Sequence, residues 1–130
     1  MASVLIIDDD KHIRHLIKAV LEPMGHQIVE AANGKDALQT IQSNTPSLVI
    51  VDIFMPEIDG IEIIKNLRNT QSDIKIIAIS GRGALDNVDV LEVAQRLGAT
   101  HTLPKPFEIR ELFNIVQDMF PPDSAISQYA

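Results

Sequence analysis

The chain has 130 residues, a formal net charge of −7, 45% apolar residues and no cysteine. That length and apolar content suit one ordinary globular domain. The absence of cysteine excludes a disulfide framework and a thiolate zinc site, and fits a reducing compartment such as the cytoplasm. An acidic balance argues against general nucleic-acid binding, which needs clustered Lys and Arg to neutralise phosphates. No basic leader with a cleavage site precedes the first acidic run, and no apolar run approaches the roughly 20 residues that span a bilayer. Neither secretion nor membrane insertion is expected.

Residues 3–7 read as a short β-branched strand that runs into Asp8-Asp9-Asp10. Residues 11–22 place Ile13, Leu16, Ile17, Val20 and Leu21 on one helical face, and Pro23 and Gly25 stop the helix. Residues 26–31 form a weaker strand. After the Asn33-Gly34 turn, Ala37, Leu38 and Ile41 mark a short helix to about Ser43. Residues 47–52 are the most apolar strand and end on Asp52. Pro56 and Asp59-Gly60 punctuate the next loop, and Ile61, Ile64 and Leu67 mark the helix after it. Residues 74–79 are a strand running into Ser80. A loop from Ser80 to Asn87 leads to a helix with Leu91, Ala94 and Leu97, closed by Gly98 as a left-handed cap. Residues 100–103 are a strand that leads through Pro104 to Lys105. Ile109, Leu112, Phe113, Val116 and Met119 mark the last helix, which Pro121-Pro122 ends, and the remaining residues read as a frayed tail.

This (βα)₅ rhythm predicts a doubly wound parallel α/β sheet with helices on both faces. In such a sheet the ligand crevice lies beyond the carboxyl ends of the strands. Asp8, Asp9, Asp52, Ser80 and Lys105 all follow strand ends, so carboxylates, a hydroxyl and an ammonium are expected on one rim. Crowded carboxylates repel one another. A Mg²⁺ ion removes that penalty and also accepts phosphate oxygens. Asp10 reads instead as the N-cap of the first helix. Asp52 reads either as a buried carboxylate satisfied by backbone donors or as a nucleophile for a phosphoryl group. Ser80 reads as a turn residue or as a donor to a phosphate oxygen, and Gly81-Arg82-Gly83 lets backbone approach closely. Lys105, flanked by Pro104 and Pro106, reads as a surface charge or a fixed cation, and Lys105-Pro106 is a candidate cis peptide. His12 and His15 read as surface residues, and His26 and His101 carry no argument.

Together these residues resemble the receiver domains of two-component response regulators. The resemblance spans about residues 3–120. It rests on Asp8-Asp9, the run Val51-Asp52-Ile53-Phe54-Met55-Pro56-Glu57-Ile58-Asp59-Gly60, Ser80, Gly98-Ala99 and Lys105-Pro106-Phe107. It implies a flavodoxin-like fold with strand order 2-1-3-4-5, a single receiver domain over residues 1–120 and a flexible tail at 121–130. It implies that Asp52 accepts a phosphoryl group from a histidine kinase or a histidine phosphotransfer protein. Asp9 and Asp52 would ligate Mg²⁺, with Asp8 acting through water and Phe54 contributing its backbone carbonyl. Ser80 would hydrogen-bond the phosphoryl group, and Lys105 would pair with it and bridge to Asp52 at rest. Catalysis would be confined to self-phosphorylation and slow self-dephosphorylation, so the domain is not expected to be an enzyme in the ordinary sense. Output would pass to a downstream protein target through the fourth helix, fifth strand and fifth helix, and a homodimer through the fourth and fifth helices is allowed.

The chain departs from the family in three places. Thr102 stands where an aromatic residue is common. The stretch from Ser80 to Gly98 is about three residues longer than usual, which predicts irregular first turns in the fourth helix. Pro104 is unusual before the lysine. Phe54 and Arg82 occupy positions expected to control water access to an acyl phosphate. Two other readings compete. A haloacid-dehalogenase-like phosphatase would need a general acid where Phe54 stands. In a flavodoxin-like binding module, Asp8-Asp9-Asp10 would repel the flavin phosphate.

Overall fold

The structure, a computed structural model, describes residues 2–55, 57–70, 73–81, 84–85 and 88–121, with backbone alone at 84–85 and 88–89. Five parallel strands form the sheet: β1 Ser3–Ile7, β2 Gln27–Ala31, β3 Leu48–Asp52, β4 Lys75–Ser80 and β5 His101–Pro104. Their spatial order is β2-β1-β3-β4-β5, as expected. The connecting helices are α1 Lys11–Leu21, α2 Gly34–Ser43, α3 Gly60–Thr70, α4 Val90–Leu97 and α5 Ile109–Met119.

Strand alternation sorts the core into two layers. Leu5, Ile7, Val49, Val51, Ile76 and Ala78 pack against Ala37 and Ile41 of α2, Ile63, Ile64 and Leu67 of α3, and Leu91 and Ala94 of α4. Val4, Ile6, Leu48, Ile50, Ile77 and Ile79 pack against Ile17 and Leu21 of α1 and Leu112 and Val116 of α5. Every residue of β3 is buried, the pattern of a strand covered on both faces. Short polar side chains start the helices. Asp10 accepts the amide of His12 at 2.8 Å, Asn33 accepts that of Asp36 at 2.8 Å, and Asp59 accepts that of Glu62 at 2.9 Å. No helix among the described residues is long and apolar enough to cross a membrane.

The structure revises several boundaries: β3 begins at Leu48, and β4 runs Lys75–Ser80, one residue later at each end than expected. α1 stops at Leu21, and a 3₁₀ turn, Glu22–Met24, follows, closed by Gly25 at φ 94°. His26 lies outside β2 and is buried. β5 begins and ends one residue later than expected, because Pro104 sits on an edge strand where a missing amide costs no ladder bond. The stretch expected to be a loop before α4 contains a short antiparallel hairpin, Ala84–Leu85 against Val88–Asp89, which takes up length between β4 and α4. Pro56, Arg82, Gly83, Asn87 and the expected tail from Pro122 onward lie outside the described residues.

Candidate functional site

Register alone brings the rim together. Ile7 pairs with Val51 across β1 and β3, so Asp8 and Asp52 stand level on adjacent strands, about 4.8 Å apart. They share the parity of Val4, Ile6, Leu48 and Ile50, so both carboxylates start on the α1–α5 side of the sheet. Asp52 pairs with Ile79, and Ser80 pairs with Pro104, so Ser80 and Lys105 follow one step beyond. The amide of Lys105 donates to the carbonyl of Ser80 at 2.8 Å.

The Lys105 ammonium bridges the two buried carboxylates. Nζ lies 3.0 Å from Asp8 Oδ2 and 3.4 Å from Asp52 Oδ2. Asp8 Oδ1 accepts the amide of Asp10 at 2.8 Å, and Asp52 Oδ1 accepts the amide of Phe54 at 3.2 Å. Burial pushes the Asp52 carboxyl up to about 6, helped by the Asp8 charge and opposed by Lys105 and the Phe54 amide. Burial works to lower the Lys105 ammonium, but Asp8 and Asp52 outweigh it and raise it. The two carboxylates are therefore crowded and only partly compensated by one cation.

Asp8, Asp9 and Asp52 each offer an oxygen, and these atoms lie within 4.8 Å of one another. An all-oxygen, hard donor set of this size fits Mg²⁺ and does not fit a soft metal. Beside it, Asp52, Phe54, Gly81 and Lys105 line a cavity of about 230 Å³. A more apolar cleft of about 370 Å³ adjoins it through Gly81 and Lys105, and is otherwise lined by Ile13, Leu16, Pro106 and Phe107. The chain between Lys105 and Pro106 is cis.

Ser80 departs from the simplest expectation. It lies at the end of β4, as expected, but it is fully buried. Alternation turns it to the side of Ile76 and Ala78, away from the face of the carboxylates. Asp10 is a helix cap, and His12 and His15 are exposed on α1, as read from the sequence. Gly60 is a residue whose role in the site the sequence reading missed. A Cβ there would lie 2.5 Å from the carbonyl oxygen of Asp52, so only glycine lets α3 begin directly against the end of β3. Its place in an Asp-Gly turn was a visible signal of a tight backbone, though not of what it approaches.

The response regulator receiver domain family matches residues 4–117. The chain belongs to that family. Sporulation initiation phosphotransferase F of Bacillus subtilis is 36% identical over 119 residues, covering 92% of this chain and 94% of that protein. Response regulator MprA of Mycolicibacterium vanbaalenii is 35% identical over 109 residues, and the chain spans 46% of its length. The Francisella response regulator 1452 receiver domain superposes with a TM-score of 0.81 at 34% identity, over 92% of this chain and 96% of that one. The chain is thus a signalling receiver domain of a two-component phosphorelay, a family that works with histidine kinases or phosphotransfer proteins. Nothing in these comparisons favours the phosphatase or the flavin-binding reading.

Proposed function

We propose that Asp52 of this receiver is the phosphoryl acceptor and that Asp8, Asp9, Ser80, Lys105 and the Phe54 carbonyl serve it. One observation carries this reading. The Asp52 carboxylate is buried at the end of the central strand, crowded by Asp8, yet it borders a cavity large enough for a phosphoryl group. Asp9 and Asp52 would hold Mg²⁺, with Asp8 and the Phe54 carbonyl completing the set. When bound, Mg²⁺ supplies the charge neutralisation that one lysine cannot.

The chain's own groups account for the rest. A carboxylate oxygen of Asp52 attacks the phosphorus of a phosphohistidine. An acyl phosphate forms, the P–N bond breaks, and its electron pair returns to the imidazole nitrogen. Lys105, already 3.4 Å from Asp52, offers its ammonium to the transferred oxygens. Phe54 and Gly81 border the space through which water reaches the product. Ser80 must turn out of its buried seat to donate its hydroxyl, and that movement displaces the start of the β4–α4 segment, an order-changing type of switch.

The apolar cleft beside Lys105 supports docking of the donor protein next to Asp52. The match to a sporulation phosphotransferase supports a cytoplasmic receiver that passes its phosphoryl group onward or binds a downstream protein target. Val93 on α4 and Ile109 on α5 are exposed, which supports a homodimer across these helices. Residues 1–120 would be the whole receiver, followed by a tail, and chemistry would be limited to its own Asp52. The decisive experiment is incubation with acetyl phosphate and Mg²⁺, read by intact mass. Wild type gains one phosphoryl group and Asp52→Asn gains none. An equal gain in both, or none in wild type, overturns the assignment.

A further inference from the structure

Asp8 is held twice through its side chain, by the Asp10 amide and by Lys105. Asp9 differs. It is exposed, and among the described residues no hydrogen bond holds its carboxylate. Its position therefore depends on its backbone. That backbone has one unusual partner. Arg14 Nη1 donates to the carbonyl oxygen of Asp8 at 2.8 Å, which is the oxygen of the peptide unit that joins Asp8 to Asp9. A peptide unit is planar, so fixing its oxygen constrains the nitrogen and Cα of Asp9 as well.

Arg14 is itself fixed from two sides. Nε donates to Glu30 Oε1 on β2 at 3.0 Å. Lys18 stands 3.8 Å from the other oxygen of Glu30. One and two turns further along α1, Ile17 and Leu21 are fully buried in the core and set the helix's rotation. The Arg14 and Glu30 side chains are only 14% and 24% exposed, so this pair is not an ordinary surface ion pair. The planar fork of a guanidinium spans both acceptors, which a lysine cannot do.

We propose that Arg14 is a positioning residue for the metal-binding acidic pair, holding the Asp8–Asp9 peptide so that Asp9 faces Asp8 and Asp52. The inference rests on the reading of this rim as a Mg²⁺-assisted phosphoryl acceptor. It makes a prediction opposite in sign to simple electrostatics. Removing a cation from beside an acidic site should tighten binding of a divalent cation on Coulomb grounds. Loss of positioning should weaken it.

The test is calorimetric titration of MgCl₂ into the whole chain, together with acetyl phosphate labelling at graded Mg²⁺. Arg14→Ala should bind Mg²⁺ about tenfold more weakly, the lower end for loss of a group that orients a metal ligand. Its half-saturating Mg²⁺ for labelling should rise by the same factor while the plateau stays at the wild-type level. Arg14→Lys keeps the charge, loses the fork and should also bind more weakly. Glu30→Gln keeps an acceptor for Nε and should stay close to wild type. Arg14→Ala binding Mg²⁺ as tightly as wild type, or more tightly, overturns the inference, as does a lowered plateau at unchanged half-saturation. Should Arg14→Ala fail to fold, Arg14→Lys decides by the same criterion. A wild type that neither binds Mg²⁺ nor accepts phosphoryl overturns the reading of the rim itself, whereas a normal wild type with an indifferent Arg14→Ala overturns the role of Arg14 alone.

Discussion

Replacing Asp52 by asparagine should stabilise the metal-free protein. The folded-state pKa of Asp52 is about 6, raised chiefly by burial and then by Asp8, against an ordinary value of 3.8. A raised pKa means that the folded state holds the proton more tightly than the unfolded state. The resulting stabilisation is full below the unfolded value, is lost as pH rises through the folded value, and leaves a charged, penalised carboxylate above it. About two units correspond to roughly 3 kcal/mol at neutral pH. The amide gives part of this back, because its NH₂ cannot accept from Lys105. A net gain of about 2 kcal/mol remains, which for a domain of this size is a rise in Tm of roughly 6–10 °C. The assay is thermal unfolding followed by circular dichroism in chelator, at neutral pH and again in mildly acid buffer. The advantage of Asp52→Asn should shrink in acid, where the wild-type carboxyl is neutral. Excess Mg²⁺ should then raise the Tm of wild type more than that of the variant. An asparagine variant no more stable than wild type in chelator, or an advantage that ignores pH, refutes the argument that crowding and burial strain this carboxylate.

Gly60→Ala forces a Cβ to within 2.5 Å of the Asp52 carbonyl, so it should cost about 1–3 kcal/mol in urea unfolding and lower phosphoryl acceptance with it. Arg68 donates to the Gly98 carbonyl at 2.9 and 2.7 Å and to the Ile74 carbonyl at 2.7 Å, tying α3 to the segments before β4 and after α4. Arg68→Ala should lose about 2–3 kcal/mol by the same measurement. His26 is buried, accepts the Ala2 amide at Nδ1 at 3.0 Å, and lies edge-on to Phe120. Burial foremost lowers its pKa below 6.5, so its contribution is complete above that value and is lost as pH falls below it toward the folded value. His26→Asn should flatten the loss of stability between neutral and mildly acid pH relative to wild type, and the Asp52 contribution cancels in that comparison. Equal slopes for the two proteins would remove His26 as the cause.

Much of the site was readable because strand ends are short-range features. Each of Asp8, Asp52 and Ser80 directly follows an apolar, β-branched run, and parallel register then aligns the ends without further information. Asp10 was readable for the same reason, since capping depends on neighbours two residues away. Arg14 was not. It lies inside an amphipathic helix, and its partners, the Asp8 carbonyl and Glu30 on β2, are a backbone atom and a residue on another strand. Its only visible trace is a charge on the flank that carries Ile17 and Leu21. The side to which Ser80 points was hidden too, because it depends on where β4 starts, and a shift of one residue exchanges the faces. The hairpin before α4 and the extension of β5 onto Pro104 escaped notice because both occur where pairing partners, and not local preference, decide the backbone.

The close seat of Gly60 against the Asp52 carbonyl has a bearing on signalling. β3 is gripped in register by β1 and β4, and its exit is blocked by the first turn of α3. On the proposed reading, the backbone of Asp52 would have little room to withdraw from an incoming group. The same cavity is lined by Gly81, which bears no side chain, and by Lys105, which directly follows β5 at one edge of the sheet. On that reading, room for a phosphoryl group would be made on that side, and the disturbance would run outward along β4 and β5 toward α4 and α5 and away from β2.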